Sequence, residues 1–119
     1  MGRFVAGTVV YLPFPCADLA PPKNRPALVL ALTDGGDCVL AMISTKSHHP
    51  WHEVVLTQSA FDVGGLPRDS IVRCDRLFTA APAAITKALG RLSAQKLSDA
   101  GQKAVGLFTG SIAAARAGR

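Results

Sequence analysis

Six side chains that can handle a phosphate gather at two places: Lys23 and Arg25 just before one apolar run, and Ser44, Thr45, Lys46 and His48 at the end of the next. An arginine offers a planar, permanently charged fork that can hold two phosphoryl oxygens, and a hydroxyl adds a neutral hydrogen bond. A histidine titrates near neutrality and can carry a proton. Other signatures of chemistry are missing, with no G-x-S-x-G, no P-loop, no H-E-x-x-H and no Gly-rich dinucleotide turn. Cys16, Cys38 and Cys74 are odd in number, widely spaced and without a C-x-x-C pair, so they read as small buried hydrophobes in a reducing cytoplasm. Nothing in the residues points to a metal or cofactor.

The two places are brought together by a hairpin. Residues 26–32 (PALVLAL) and 38–44 (CVLAMIS) are apolar β-forming runs on either side of Asp34-Gly35-Gly36-Asp37, where glycine supplies the positive φ angles of a tight turn. Pairing them sets Arg25 roughly opposite Ser44 or Thr45. Strand neighbours face opposite ways, so Ser44 and Thr45 cannot both point into one site on a regular strand. If that strand continues, Lys46 and then His48 lie on the face of Ser44.

Around the hairpin, residues 5–12 read as a strand and 13–23, with four prolines, as a long exposed loop. Residues 53–56, 70–73 and 76–79 read as further short strands, 64–67 as a loop, and 85–92 as a last strand or a weak helix. Ser93 can cap a helix in which Leu97, Gly101, Ala104, Phe108, Ile112 and Ala115 recur at helical spacing, a stripe that reads as core packing. Short strands without βαβ alternation, closed by one helix, predict a mainly β fold: a small antiparallel barrel with a C-terminal α-helix.

A chain of 119 residues suffices for one domain, here a barrel over 1–92 and a helix over 93–115. Its apolar runs fall short of the ~20 residues that span a bilayer, and the opening MGRFVAGTVVYLPFP makes a poor secretion signal because β-formers and prolines interrupt it. The expected location is cytoplasmic. The net charge of +5 suggests a polyanionic partner, yet residues 1–80 hold seven basic and seven acidic side chains. The surplus lies in residues 81–119, with six basic and one acidic.

The runs GTVVYLPFPCAD, KNRPALVLA, LAMISTKS, GLPRDSIVRCDRLFT and ALGRLS, in that order, resemble the MazF/PemK family of toxins from bacterial type II toxin–antitoxin modules over nearly the whole chain. The resemblance implies an SH3-like barrel with a terminal helix, a homodimer, and metal-independent, sequence-specific cleavage of single-stranded RNA, neutralised by a small antitoxin. By the same resemblance Arg25 takes the place of the family's catalytic arginine, and the catalytic threonine falls on Ser44, with Thr45 as the rival. Asn24 stands where some members carry a glutamate. Ser70, Asp75 and Arg76 match positions that contact RNA, and residues 12–23 match a mobile loop over the site. Phe14, Lys23, Lys46 and His48 join them as RNA-binding candidates. The cleavage these residues permit is attack of the RNA 2′-hydroxyl on the adjacent phosphorus, leaving a 2′,3′-cyclic phosphate and a 5′-hydroxyl; DNA lacks that nucleophile.

Plainer roles compete. Arg25 could pair with Asp18 or Asp37, Phe14 could anchor its loop rather than stack on a base, and His48 and His49 could be exposed loop. Trp51 suits a dimer or antitoxin contact. Two rival functions use the same barrel: a silent RNA binder, and a gyrase poison, whose Trp-Gly-Ile ending this chain lacks.

Overall fold

Runs of valine, isoleucine and leucine favour extended chain that buries one or both faces. In a computed structural model, which describes residues 4–14, 21 and 23–118, they form seven strands followed by one helix. The strands are β1 (Thr8–Phe14), β2 (Lys23–Leu32), β3 (Cys38–Ser44), β4 (Glu53–Leu56), β5 (Phe61–Gly64), β6 (Ser70–Ala80) and β7 (Lys87–Leu92); the helix is α1 (Ala94–Arg116). All described pairings are antiparallel, in the order β4-β6-β3-β2-β1-β7-β5. The expected small barrel with a C-terminal helix is thus realised as one coiled sheet, a half-barrel whose edges are β4 and β5.

The two faces bury different clusters. Val9, Leu28, Ala41, Ile43, Val54, Leu56, Val72 and Cys74 point to the side covered by Ala100 and Ala104 of α1. Val10, Leu12, Ala27, Val29, Cys38 and Leu40 point the other way, against Phe4, Phe78 and Ile85. Two prolines sit where the ladders allow them. β7 pairs with β1 only from Thr8 to Tyr11, so Pro13 needs no donor on that side. Pro26 has no N–H to offer β3, and the β2–β3 ladder begins one residue later, at Ala27–Met42.

Several strands differ from expectation. The stretches 70–73 and 76–79 are one strand, β6, which bulges between Arg73 and Leu77 so that Met42 and Ala41 can pair with those two residues in turn. Residues 85–92, read as a last strand or a weak helix, hold the strand β7, which follows a 3-10 turn at Pro82–Ala84. β5 is a strand where a loop was expected, because Gly64, at φ +68°, and Gly90 let the β5 and β7 backbones approach where any Cβ would collide with the facing chain. β1 and β2 both run further toward the proline-rich loop, whose residues 15–20 and 22, with Cys16 and Asp18, lie outside the described residues.

The helix starts as read: Ser93 Oγ accepts from the Lys96 N–H at 3.2 Å. The stripe is core in its first half only. Phe108 and Ile112 are each 56% exposed, because only Ala100 and Ala104 of the helix are buried. No described helix is long and apolar enough to cross a membrane.

Candidate active site

Arg25 belongs to the second cluster's face. It pairs with Leu12 in the β1–β2 ladder, and Ala27 and Val29 follow it on the same side. On β3 the register Ala27–Met42, continued by two residues, sets Ser44 across from Arg25 on that face. The apolar cluster therefore gives way, within one side-chain repeat, to a half-buried guanidinium and a half-buried hydroxyl. Arg25 makes no ion pair with a described residue, Asp37 included, since the described ion pair is Arg73–Asp75.

The hydroxyl of Ser44 accepts the Lys46 N–H at 3.1 Å, a short turn that ends β3. Strand alternation thus stops at Ser44, and the expected face Ser44–Lys46–His48 does not form. Residues 45–51 form an exposed loop instead, in which His48 Nδ1 lies 2.9 Å from the Lys46 carbonyl oxygen. A neutral ring donating there through Nδ1–H leaves Nε2 as a free acceptor. Trp51, 65% exposed, lies tilted against His49 and edge-on to His52.

Thr45 turns to the helix side of the sheet. With Tyr11, Pro26, Arg68, Ser70 and Lys87 it lines a cleft of about 440 Å³, which separates it from Ser44 and Arg25. Lys87 Nζ stands 5.7 Å from the centre of the Tyr11 ring. Arg68, Lys87 and Tyr11 were not singled out by sequence; Arg68 sits inside the GLPRDS run and Tyr11 inside GTVVYLPFPCAD, but nothing local marks Lys87.

Two RNA-contact expectations need correction. Phe14 is 6% exposed and packs edge-on against Phe78, with ring centres 4.2 Å apart, so it anchors the second cluster and offers no face for a base. Ser70 is buried and donates its proton to the Arg68 carbonyl at 2.9 Å, which leaves it shaping the cleft wall. Lys23 and Arg76 are exposed. Asp75 is committed: Arg73 Nε and Nη2 fork onto its carboxylate at 3.3 and 3.2 Å.

Glu53, on the edge strand β4, was also missed. It pairs with Arg73 across the β4–β6 ladder and is only 7% exposed. Burial alone would raise its carboxyl, but hydrogen bonds from Ser47 and from the backbone N–H groups of His48 and His49, together with the Arg73 charge, outweigh that and hold it below the ordinary carboxylate range. The thiols behave as hydrophobes. Burial pushes Cys74 up to about 11, and burial followed by the nearby Asp37 raises Cys38.

Comparison with known proteins agrees with this fold. Among curated proteins none matches by sequence. The chain is similar in structure to the Mycobacterium tuberculosis toxin MazF-mt6, at 23% identity and a TM-score of 0.63 over 83% of this chain and 92% of that one. It is similar to a mycobacterial endoribonuclease in complex with its cognate antitoxin, at 19% identity and a TM-score of 0.63 over 88% and 97% of the two chains. It is likewise similar to MazE-MazF from Deinococcus radiodurans, at 23% identity and a TM-score of 0.64 over 88% and 94%. These likenesses establish the fold. The model of the PemK-like, MazF-like toxins of type II toxin–antitoxin systems matches residues 6–107, the span that holds all seven strands, Arg25 and Ser44, and the chain belongs to that family.

Proposed function

We propose that this chain is a sequence-specific endoribonuclease toxin that cleaves single-stranded RNA without a metal ion, works as a homodimer in the cytoplasm and is silenced by a cognate antitoxin. What supports the reading is that the β2–β3 register, continued past Ala27–Met42, puts Arg25 and Ser44 on the same face, in a chain of the MazF-like family. Arg25, free of a described ion pair, is available to hold two non-bridging phosphoryl oxygens and to offset the charge that builds up as the 2′-oxygen bonds to phosphorus. Ser44 accepts from Lys46 N–H through its oxygen, so its own proton remains to donate to the phosphoryl group. Its substitution for threonine keeps that donor.

The proton balance is simple. The 2′-hydroxyl loses its proton as its oxygen attacks phosphorus, the P–O5′ bond breaks, and the departing 5′-oxygen gains a proton. Thr45, in the cleft with Arg68 and Lys87, serves substrate contact in this reading rather than the phosphoryl group under attack.

The test is incubation of the purified protein with a long end-labelled RNA in EDTA. Fragments ending in cyclic phosphate, absent with Arg25→Ala, are the expected result. Intact RNA with a mobility shift would replace the reading with a silent RNA binder, and light scattering at a monomer mass would remove the dimer.

A further inference from the structure

The loop after Ser44 presents an unusual balance. Every residue from 45 to 51 is exposed, so burial contributes almost nothing to holding it. Beside the Lys46 N–H bond to Ser44 and the Lys103 Nζ bond to the Trp51 carbonyl at 3.3 Å, its middle is fixed by one carboxylate. Glu53 accepts the Ser47 hydroxyl at 2.6 Å, the His48 N–H at 2.6 Å and the His49 N–H at 2.8 Å, three bonds converging on a group that is itself almost fully enclosed. Charge-assisted bonds of this kind are about twice as strong as neutral ones. Enclosing a carboxylate is costly unless its lone pairs are filled, and here the loop fills them. A loop that adds nothing to the core is thus ordered by a buried charge.

The same carboxylate faces Arg73 across the β4–β6 ladder, and Arg73 forks onto Asp75 within the β6 bulge that also carries Arg76. Glu53, Arg73 and Asp75 form a line of alternating charge between two exposed segments. One carries Lys46 and His48 and the other Arg76, all cationic or able to become so. Because the Glu53 oxygens are turned into the protein and capped, they present little negative charge to an approaching polyanion.

We propose that Glu53 is a positioning residue for the RNA site: it holds the 45–49 loop in the shape that presents Lys46 and His48 to RNA and, through Arg73 and Asp75, ties that loop to the Arg76 bulge. The inference rests on the RNA-cleaving reading for its substrate, and it assigns Glu53 no contact with RNA. Arg25 and Ser44 sit on strands paired without it, so loss of Glu53 weakens binding far more than the chemical step.

The experiment compares wild type with Glu53→Gln and Ser47→Ala. It measures cleavage kinetics on a short RNA, binding of a 2′-deoxy oligonucleotide of the same sequence, and backbone amide exchange. Glu53→Gln keeps the shape but lacks the charge and one acceptor oxygen. It is expected to raise KM and the oligonucleotide Kd about tenfold, with kcat within about threefold, and to speed exchange of the His48 and His49 amides at least ~tenfold. Ser47→Ala removes a single donor and is expected to give about a threefold rise in KM. Unchanged KM and Kd alongside freed amides, or amides that stay protected, would overturn the proposal, as would a loss confined to kcat. If wild type binds but does not cleave, the enzymatic reading falls while the binding data still judge Glu53. If Glu53→Gln does not fold, Ser47→Ala carries the same comparison.

Discussion

The two ends of the β2–β3 hairpin are built on opposite terms. At the turn, Thr33 N–H donates to the Asp37 carbonyl at 2.9 Å, Gly36 N–H returns to the Thr33 carbonyl at 2.9 Å, and Asp37 N–H reaches Thr33 Oγ1 at 3.1 Å. The chain there satisfies its own polar groups and closes. At the other end Pro26 withholds a donor, the ladder stops at Ala27–Met42, and Arg25 and Ser44 face each other beyond it with bonding capacity unspent. Where a segment only has to turn, its polar groups are paired internally; where it is to meet a substrate, the pairing is interrupted by a residue that cannot take part. The apolar cluster between the ends supplies the rigidity that makes the open end a fixed geometry.

That contrast can be broken first at the open end. Arg25→Ala is expected to lower kcat/KM for RNA by about a thousandfold or more while the thermal midpoint stays near wild type, because a half-buried cation with no described ion pair adds little to folding. Equal loss of stability and activity would make the open end a structural feature like the turn. Ser44→Ala should cost about a hundredfold in kcat and Ser44→Thr little, measured on the same RNA. If Thr45→Ala proves the more damaging change, the face assignment at the end of β3 is wrong.

The loop beyond the open end responds to acid. Glu53 sits below its ordinary value in the folded chain and titrates near about pH 4.3 when unfolded, so the folded state binds fewer protons in that range. Its contribution is complete above that pH and is lost as pH falls through the lowered folded value. Thermal unfolding of wild type and Glu53→Gln should accordingly differ at pH 7, and the gap should shrink as pH falls below about 4.3 through the lowered folded value. A gap that widens in acid would reverse the sign of the argument. Gly106→Ala, at a helix position with nothing within 4 Å of a new Cβ, should stabilise by about 1 kcal/mol in denaturant titration. Smallest is Thr33→Ala at the closed end, about 0.5 kcal/mol lower in stability with unchanged RNA cleavage.

Much of this could be read from residue order because local chemistry dictates it. Asp34-Gly35-Gly36-Asp37 between two apolar runs requires the hairpin, the hairpin brings Arg25 to Ser44, and Ser93 before a helical stripe requires the cap. What escaped depends on partners far away in sequence. Nothing near Glu53 shows that its side chain is buried, since Val54 and Leu56 already make the inward face of the EVVL run and put Glu53 on the other one. The β6 bulge hides in a run that looks like two strands, because it shows only in the pairing with β3. Phe14 beside prolines resembles an exposed loop residue until Phe78, 64 positions later, meets its ring. Gly64 reads as a loop residue and Gly90 as one of a strand or weak helix, when the task of both is close backbone approach.

The sheet's two edges, β4 and β5, are neighbours in the chain, joined only by residues 57–60. Four residues reach no further than about 14 Å, so this linker is a strap across the mouth of the half-barrel. Ala60 pins it, being 1% exposed and accepting the Ser93 N–H at 2.9 Å through its carbonyl. A protease cut between the exposed Gln58 and Ser59 would sever no strand pairing, yet it would free the edges to part and turn a coiled wall into one that can flatten. Connectivity thus joins the two edges that no strand pairing joins, beside the cover that α1 gives the first cluster.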